Sequence, residues 1–575
     1  MLYRIPITPK KGSAKIQFIF IMQQDWGILF SLPDGSQKVP YFYVMKTRIP
    51  RQEVHHGIYM FSLVLLVCCL PLSRYVLSIS QFLLLLNWLT EGRLREKAVT
   101  LRQYPSLWIF MSVILVYLLG SLYSANLDGA ITKVKNVLPL VLLPLVVATS
   151  KQLNPKDVSR LFLFYSLAVI AAAVICIANY LIDPSAADRN FRKFSIFMPH
   201  IRFALLIILD ILILLYLVLF KPYPVSRSRQ ATYVAFAFFL IVFLFLLRSF
   251  AGIIILFLCL VVFIIRTTML KSSRRTVYVV TTAIAVACFM AAIYIILFYT
   301  RNFSPAHVDL ANLDKKTANG HAYEHNLDDR TMENGHYVNL YVCEPELRKE
   351  WNARSRISYD STDLKGQPVF TTLKRYLTSR GLRKDSASLS TLGSDEIRAI
   401  EKGLANYAFS VRPGLYQRLY ETLWEVHIWR VSGYVKWHSF GQRLVYYQSA
   451  GRIIRNNWLT GVGTGDVYSR MLEVTRKDHE VEARWKGEPH NQFTFLLMAF
   501  GIPGFAWILF AWIYPVVVNR STRYLLFNLF AVIILVSMMV LDTIESYDNM
   551  VYFAFFYTLF VFGPRFPIKE NLKAG

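Results

Sequence analysis

The sequence predicts an all-α polytopic membrane protein, with about 12 transmembrane helices and one large, mainly helical extracytoplasmic loop. Three observations predict it. The 575 residues are 55% hydrophobic and only 17% charged, whereas soluble domains carry about 25% charged residues. Mean hydropathy is +0.38, and many apolar runs approach or exceed the roughly 17 to 25 residues that cross a bilayer. A single long polar interval, at about residues 300–492, separates these runs into two groups.

In chain order, residues 1–56 form an N-terminal extension, 57–299 hold spans one to nine, 300–492 form the loop domain, 493–563 hold three more spans, and 564–575 form a tail. The extension lacks the basic, apolar and small-residue order of a cleavable signal peptide. Met45 opens a basic run, MKTRIPRQEVHHG, just ahead of the first span, so residues 1–44 are expected to be an upstream start or a dispensable tail. The spans fall at roughly 58–71, 75–90, 105–122, 134–149, 160–182, 203–220, 231–247, 251–266, 277–299, 493–516, 524–541 and 550–563.

Basic residues occupy alternate connections: Arg93, Arg95, Lys97 and Arg102; Lys151, Lys156 and Arg160; Lys221, Arg227 and Arg229; Arg266, Lys271, Arg274 and Arg275; Arg520 and Arg523. Positive charge marks the cytoplasmic side. Arg565 and Lys569 fall on the same side, so both termini are expected inside and the long loop outside. Two external places break the bias. Arg189, Arg192 and Lys193 are read as noise in the rule or as headgroup contacts. Arg202 and Arg248 sit closer to span ends, where an ionisable residue is a functional candidate and a guanidinium can grip a phosphate through two charge-assisted bonds.

The loop carries amphipathic stretches, SDEIRAIEKGLANYAF and LYQRLYETLWEVHIW, which predict helices with a buried face. EHNLDD at 324–329 reads as a solvated acidic turn. Asp210, inside the sixth span, is costly unpaired and predicts a buried hydrogen bond to a neighbouring span. Cys68, Cys69, Cys176, Cys259 and Cys288 lie in apolar runs and Cys343 in the loop, so the loop holds no internal disulfide. No spaced Cys/His set or paired acidic motif predicts a metal. The net charge of +26 would suggest nucleic acid in a soluble protein. Here the cations sit in short connections and set topology, and no nucleic-acid partner is expected.

GVGTGDV at 461–467 follows an amphipathic segment rather than a strand, so it predicts a turn and not a dinucleotide site. Together with EPHNQFTFLLMAFGIPG at 488–504, it resembles the signature of the O-antigen ligase and polymerase superfamily, in which a glycine-rich turn leads to a His-Asn pair at the mouth of a span. MPHIRFALLI at 198–207, LLRSFAG at 246–252, KRYLTSRGLRKDS at 374–386, HSFGQR at 438–443 and LDTIESYDN at 541–549 extend the resemblance across about residues 58–565.

The resemblance implies a glycosyltransferase of the bacterial inner membrane, without cofactor and with its active face in the periplasm; the lack of metal-ligand motifs predicts that it is metal-independent. It would move a glycan from undecaprenyl pyrophosphate to an acceptor hydroxyl, on a glycolipid such as lipid A core or on a growing glycan. Such chemistry needs cations on the departing pyrophosphate and a group that orients or deprotonates the hydroxyl. The resemblance assigns these roles to Arg443 and His490. Arg443 would hold phosphate; His490 would activate the acceptor or contact the pyrophosphate. An arbitrary histidine at a span start is more often an interfacial cap; the surrounding motif reverses that weighting.

Arg248 resembles the family arginine at a span-to-span turn, although this chain has Arg248 before Ser249 rather than after a serine. Arg202 either contacts phosphate or packs against headgroups. Asn491, Gly463 and Gly465 are supporting residues. Asp542 and Glu545, spaced to share a helical face, would orient an arginine or the acceptor, or else form a solvated span end or a salt bridge. Polymerisation of repeat units and transfer to protein hydroxyls are rival enzymatic readings. A polysaccharide flippase or exporter is the non-enzymatic one; it predicts ionisable groups at mid-membrane depth, often in paired repeats.

Overall fold

In a hydrocarbon layer every backbone N–H and C=O must find a partner within the protein, and helices do this locally. The computed structural model describes residues 17–20, 28–31, 51–182, 194–221, 226–305, 312–412, 414–432, 439–478 and 487–563, and it is mostly helical. Arg189, Arg192, Lys193, His438, Arg565 and Lys569 lie outside the described residues. The chain divides into two units, residues 1–59 and 60–575. In the first, β1 (Gln17–Phe20) and β2 (Ile28–Ser31) pair antiparallel, with Gln17 opposite Ser31.

A helix covers each of the twelve apolar stretches. They are α1 (Arg51–Cys69), α2 (Arg74–Glu91), then, after α3 (Leu94–Gln103), the pairs α4 (Pro105–Met111) with α5 (Val113–Leu122) and α6 (Leu127–Val137) with α7 (Pro139–Thr149). Next come α8 (Pro155–Ile182), α9 (His200–Phe220), α10 (Arg227–Leu246), α11 (Phe250–Lys271) and α12 (Arg274–Phe303). Among the described residues, nine stretches are long and apolar enough to cross a membrane. The helix at 74–91 and the last two at the C-terminal end fall below that measure. Helix α1 starts at Arg51, ahead of the apolar run that opens at about residue 58.

Beyond α12 the polar interval holds a short hairpin, Met332–Glu333 with His336–Tyr337, and the helices α13 (Glu344–Arg354), α14 (Val369–Ser379), α15 (Ser394–Glu401) and α16 (Leu415–Ser432). A core of its own packs Leu347, Trp351, Tyr376 and Ile397. A second cluster joins Phe298 and Phe303 at the end of α12 to Tyr420 and Trp424 of α16. The basic run at 374–386 serves this domain internally: Arg375 pairs with Glu333 at 2.6 Å, Arg380 with Glu396 at 2.9 Å, and Arg383 with Asp314. EHNLDD is a turn in which the Asn326 side chain accepts from the backbone N–H of Asp328 and Asp329.

The chain continues through α17 (Ser439–Asn456), α18 (Val467–Asp478), α19 (Gln492–Val518), α20 (Leu525–Val540) and α21 (Tyr547–Val561). Helices α9 and α21 are the buried centre, and Phe530 of α20 packs its ring against Tyr552, Phe553, Phe556 and Phe560. Asp210 on α9 accepts a hydrogen bond from Ser166 on α8, as its position in a span predicts.

Helix α19 is broken at Gly501 (φ 63°). The carbonyls of Met498 and Ala499 accept from the N–H groups of Val462 and Gly463 (2.8 and 3.0 Å), and Ile502 N–H donates to Trp458 O at 2.7 Å. GVGTGDV is thus the partner that closes the broken helix. A kink in a span survives only where neighbouring groups satisfy the freed backbone.

Candidate functional site

Side-chain contacts gather one set of helix ends on a single face. Arg74 on α2 and Arg202 on α9 both reach Asp548 on α21; Lys133 on α6 and Gln492 on α19 both reach Glu545; and a Cβ on Gly252 of α11 would lie 2.7 Å from Ala204 of α9. Those helices present their N-terminal ends there, where unpaired N–H groups and the helix dipole favour anions.

The glycine-rich turn secures this face. Thr464 N–H donates to Gly120 O and Gly465 N–H to Ser124 Oγ, each at 3.1 Å, while Asp466 accepts from the N–H groups of Ala125 and Asn126 at 2.7 and 2.9 Å. Gly463 has φ 98°, and a Cβ there would lie 2.6 Å from Ser124 Oγ; a Cβ on Gly465 would lie 2.1 Å from Asn126 O. Gly463 is needed for its left-handed backbone and Gly465 because backbone approaches backbone.

His490 immediately precedes the cap of α19. Asn491 caps that helix by accepting from Thr494 N–H at 3.0 Å, and its Nδ2 donates to Met539 O at 3.2 Å. His490 has φ 49°, an uncommon conformation for a side chain with a Cβ. Its ring lies 5.9 Å from that of Tyr446 and its Nδ1 4.0 Å from a Glu488 oxygen. Arg443 stands one turn before Tyr446 on α17, so the two share a face of that helix. The ring of Tyr446 is next to that of His490, and among the described residues no direct bond joins Arg443 to His490. No described residue forms a hydrogen bond or ion pair with Arg443.

Asp542 and Glu545 do not share a helical face. Helix α20 ends at Val540, and both residues lie in the turn before α21. Glu545 is buried and accepts from Lys133 Nζ (2.8 Å), Gln492 Nε2 (2.8 Å) and Tyr117 Oη (3.1 Å). Its partner is thus a lysine rather than an arginine, and its role is to join α5, α6 and α19. Lys133 Nζ also sits 4.7 Å from the ring centres of Tyr468 and Phe495. Asp542 accepts from Tyr468 Oη at 2.6 Å. Burial and the carboxylates of Asp542, Glu545 and Glu488 push the Tyr468 phenol well above its usual range, so it stays a neutral donor.

Arg248 is exposed in the turn between α10 and α11, with φ 50°, and Ser249 caps α11 through its bond from Gly252 N–H. Arg93, Lys221 and Arg520 adopt the same left-handed conformation in turns at other span ends, so this backbone shape is what a tight connection requires. Arg202 lies 3.7 Å from Asp548.

Sequence reasoning missed Lys133 and Arg74. Both are cations at the outer end of a predicted span, against the charge bias, and that was the available signal. An apolar cleft of about 420 Å³ beside the α19 kink, lined by Leu115, Leu119, Phe500 and Trp507 among others, includes none of the charged residues above. Among the described residues, no group of three or more His, Cys, Asp or Glu residues is placed to hold a metal ion.

Nine long apolar stretches among the described residues define a multi-pass membrane protein. Residues 403–509 match the family model described as O-antigen ligase, a stretch that includes Arg443, Gly463, Gly465, His490 and Asn491. The similarity to that family covers this stretch of the chain. No curated protein matches the chain.

Proposed function

We propose that the protein is an O-antigen ligase-type glycosyltransferase that moves a glycan from undecaprenyl pyrophosphate to an acceptor hydroxyl on lipid A core, at the periplasmic face of the bacterial inner membrane. The acceptor oxygen attacks the anomeric carbon, the bond to pyrophosphate breaks, and the carrier leaves as its pyrophosphate anion. Arg443 and the face's other cations stabilise the charge that grows on that leaving group. His490 takes the hydroxyl proton or aligns the hydroxyl, with Glu488 near enough to orient its ring. The chemistry as written needs no metal or cofactor.

The observation that supports this reading is that Arg443 and His490 both fall within the family-matched segment, where the ring of Tyr446, one turn after Arg443 on α17, lies 5.9 Å from that of His490. Twelve crossings, with both termini in the cytoplasm, put every residue of this face on the side where the lipid-linked donor is presented.

The test is transfer in detergent micelles from a synthetic lipid-linked donor to a core glycolipid. Arg443→Ala and His490→Ala are each expected to lower turnover by roughly a hundredfold or more while leaving the melting temperature in place. Product formed at wild-type rates by both variants overturns the assignment. In a deletion strain, loss of all long glycan on core marks a ligase, single-repeat glycan a polymerase, and unglycosylated envelope proteins a protein transferase. Turnover that vanishes with chelator and returns with a divalent cation contradicts the metal-free reading.

A further inference from the structure

Three helix N-termini meet around one buried carboxylate. Asp548, on the first turn of α21, is 4% exposed. Arg74, the first residue of α2, places its Nη2 3.3 and 3.4 Å from the two Asp548 oxygens, and Arg202, on the first turn of α9, places Nη1 at 3.7 Å. These distances are longer than the roughly 2.7 to 2.9 Å of a tight charge-assisted bond. Each guanidinium carries a fork of N–H donors. Among the described residues, one donor of Arg74 is engaged in a hydrogen bond, and Arg202 has only its long ion pair. One carboxylate between two guanidiniums also leaves a net positive charge.

The position of Arg74 is fixed. Ser73 caps α2, and Gln81, two turns further along the helix, donates to Tyr547 Oη at 2.6 Å, holding α2 against the start of α21. Arg74 is 57% exposed in its side chain and Arg202 25%, so both forks are accessible while their shared anchor is not. On the same turn of α21, Asn549 is 6% exposed, and its buried Nδ2 has no hydrogen-bond partner among the described residues.

We propose that Arg74 and Arg202, aligned by Asp548, form a phosphate seat for the head of a membrane lipid, with Arg74 as a binding residue and Asp548 as a positioning residue. The chemistry recognised is a lipid-borne phosphate or diphosphate at the boundary of the apolar layer. Two planar forks converging from two helices suit a tetrahedral dianion better than a single lysine would. The seat deepens the transfer reading, which it rests on for the identity of the lipid.

The test uses the full chain in nanodiscs, with farnesyl diphosphate as probe and phosphatidylglycerol and inorganic pyrophosphate as comparison ligands, binding being read by thermophoresis. Arg74→Ala is expected to weaken farnesyl diphosphate binding by roughly tenfold or more, and Arg74→Lys is expected to recover part of it. Asp548→Asn adds net positive charge yet is expected to weaken binding, an outcome that simple charge attraction does not give. Unchanged binding in a folded Arg74→Ala protein overturns the proposal, as does tighter binding in Asp548→Asn. Equal competition by phosphatidylglycerol supports the seat and assigns it to bulk phospholipid. Equal competition by inorganic pyrophosphate overturns its lipid character. A transfer assay on the same samples separates the two readings. Transfer with an unchanged donor KM in an Arg74→Ala protein whose farnesyl diphosphate binding is also unchanged sinks the seat and leaves transferase function standing; Arg74-dependent binding without any transfer does the reverse.

Discussion

Lys133→Met tests whether Glu545 is an architectural joint or a free functional carboxylate. In the native protein the Glu545 carboxylate, 3% exposed in its side chain, is neutralised by Lys133, 12% exposed, across 2.8 Å. Removing one partner of a buried pair costs roughly 3–5 kcal/mol, because the remaining charge is left uncompensated. Tyr117 and Gln492 still donate to Glu545, and Lys133 is not wholly enclosed, so the lower end of that range, about 3 kcal/mol, is expected. Lys133 also gives up its place over Tyr468 and Phe495. Glu545→Gln retains much of the hydrogen bonding and should cost less. In Lys133→Met/Glu545→Gln no charge is buried, and the double variant should recover about 2 kcal/mol relative to the sum of the singles. Tryptophan fluorescence during thermal unfolding in detergent gives the order: Lys133→Met lowest, Glu545→Gln intermediate, the double variant above the value that additivity gives. A Lys133→Met protein that melts within about a degree of the parent, when a loss this large should move the midpoint by several degrees, or strict additivity of the pair, refutes the buried joint.

Gly465→Ala is expected to reduce folded yield sharply, since its Cβ would sit 2.1 Å from a backbone carbonyl; normal expression and melting would show that the α5–α6 turn can yield. Asn491→Ala should cost about 1 kcal/mol through loss of the α19 cap, with Asn491→Asp restoring most of it; equal melting of the Ala variant and the parent would remove the cap from the argument. In the extramembrane helices, burial pushes the Glu346 carboxyl up, but bonds from Thr317, Ser386 and His321 outweigh it and hold its pKa at about 2. A depressed carboxyl contributes stability that is full above its unfolded pKa of about 4.5 and fades as pH falls toward 2. Limited proteolysis between pH 5 and pH 2 should show this loss in the parent and little pH dependence from this site in Glu346→Gln; identical profiles would contradict it.

Much of this protein is legible in one dimension because hydrocarbon leaves the chain few choices. A long apolar run must become a helix, so the helices from Arg51–Cys69 to Tyr547–Val561 follow from composition and length. The same constraint made Asp210 a predicted hydrogen-bonded carboxylate, and Ser166 is its partner. The basic run at 374–386 was legible as a motif, yet its use was not: whether Arg375 faces solvent or Glu333 depends on a hairpin forty residues upstream in the chain.

The candidate site divides in the same way. Sequence by itself determined the segment that carries Arg443, the glycine turn and the His490–Asn491 entry to α19, because these residues are close along the chain and the turn chemistry is local. Tertiary structure alone decided that Lys133 rather than an arginine neutralises Glu545, that Arg74 joins Arg202 on Asp548, and that the glycines close a broken helix. Each of these depends on which helix ends become neighbours. That outcome is set by packing among spans that are alike in composition, and a single chain read in order carries almost no record of it.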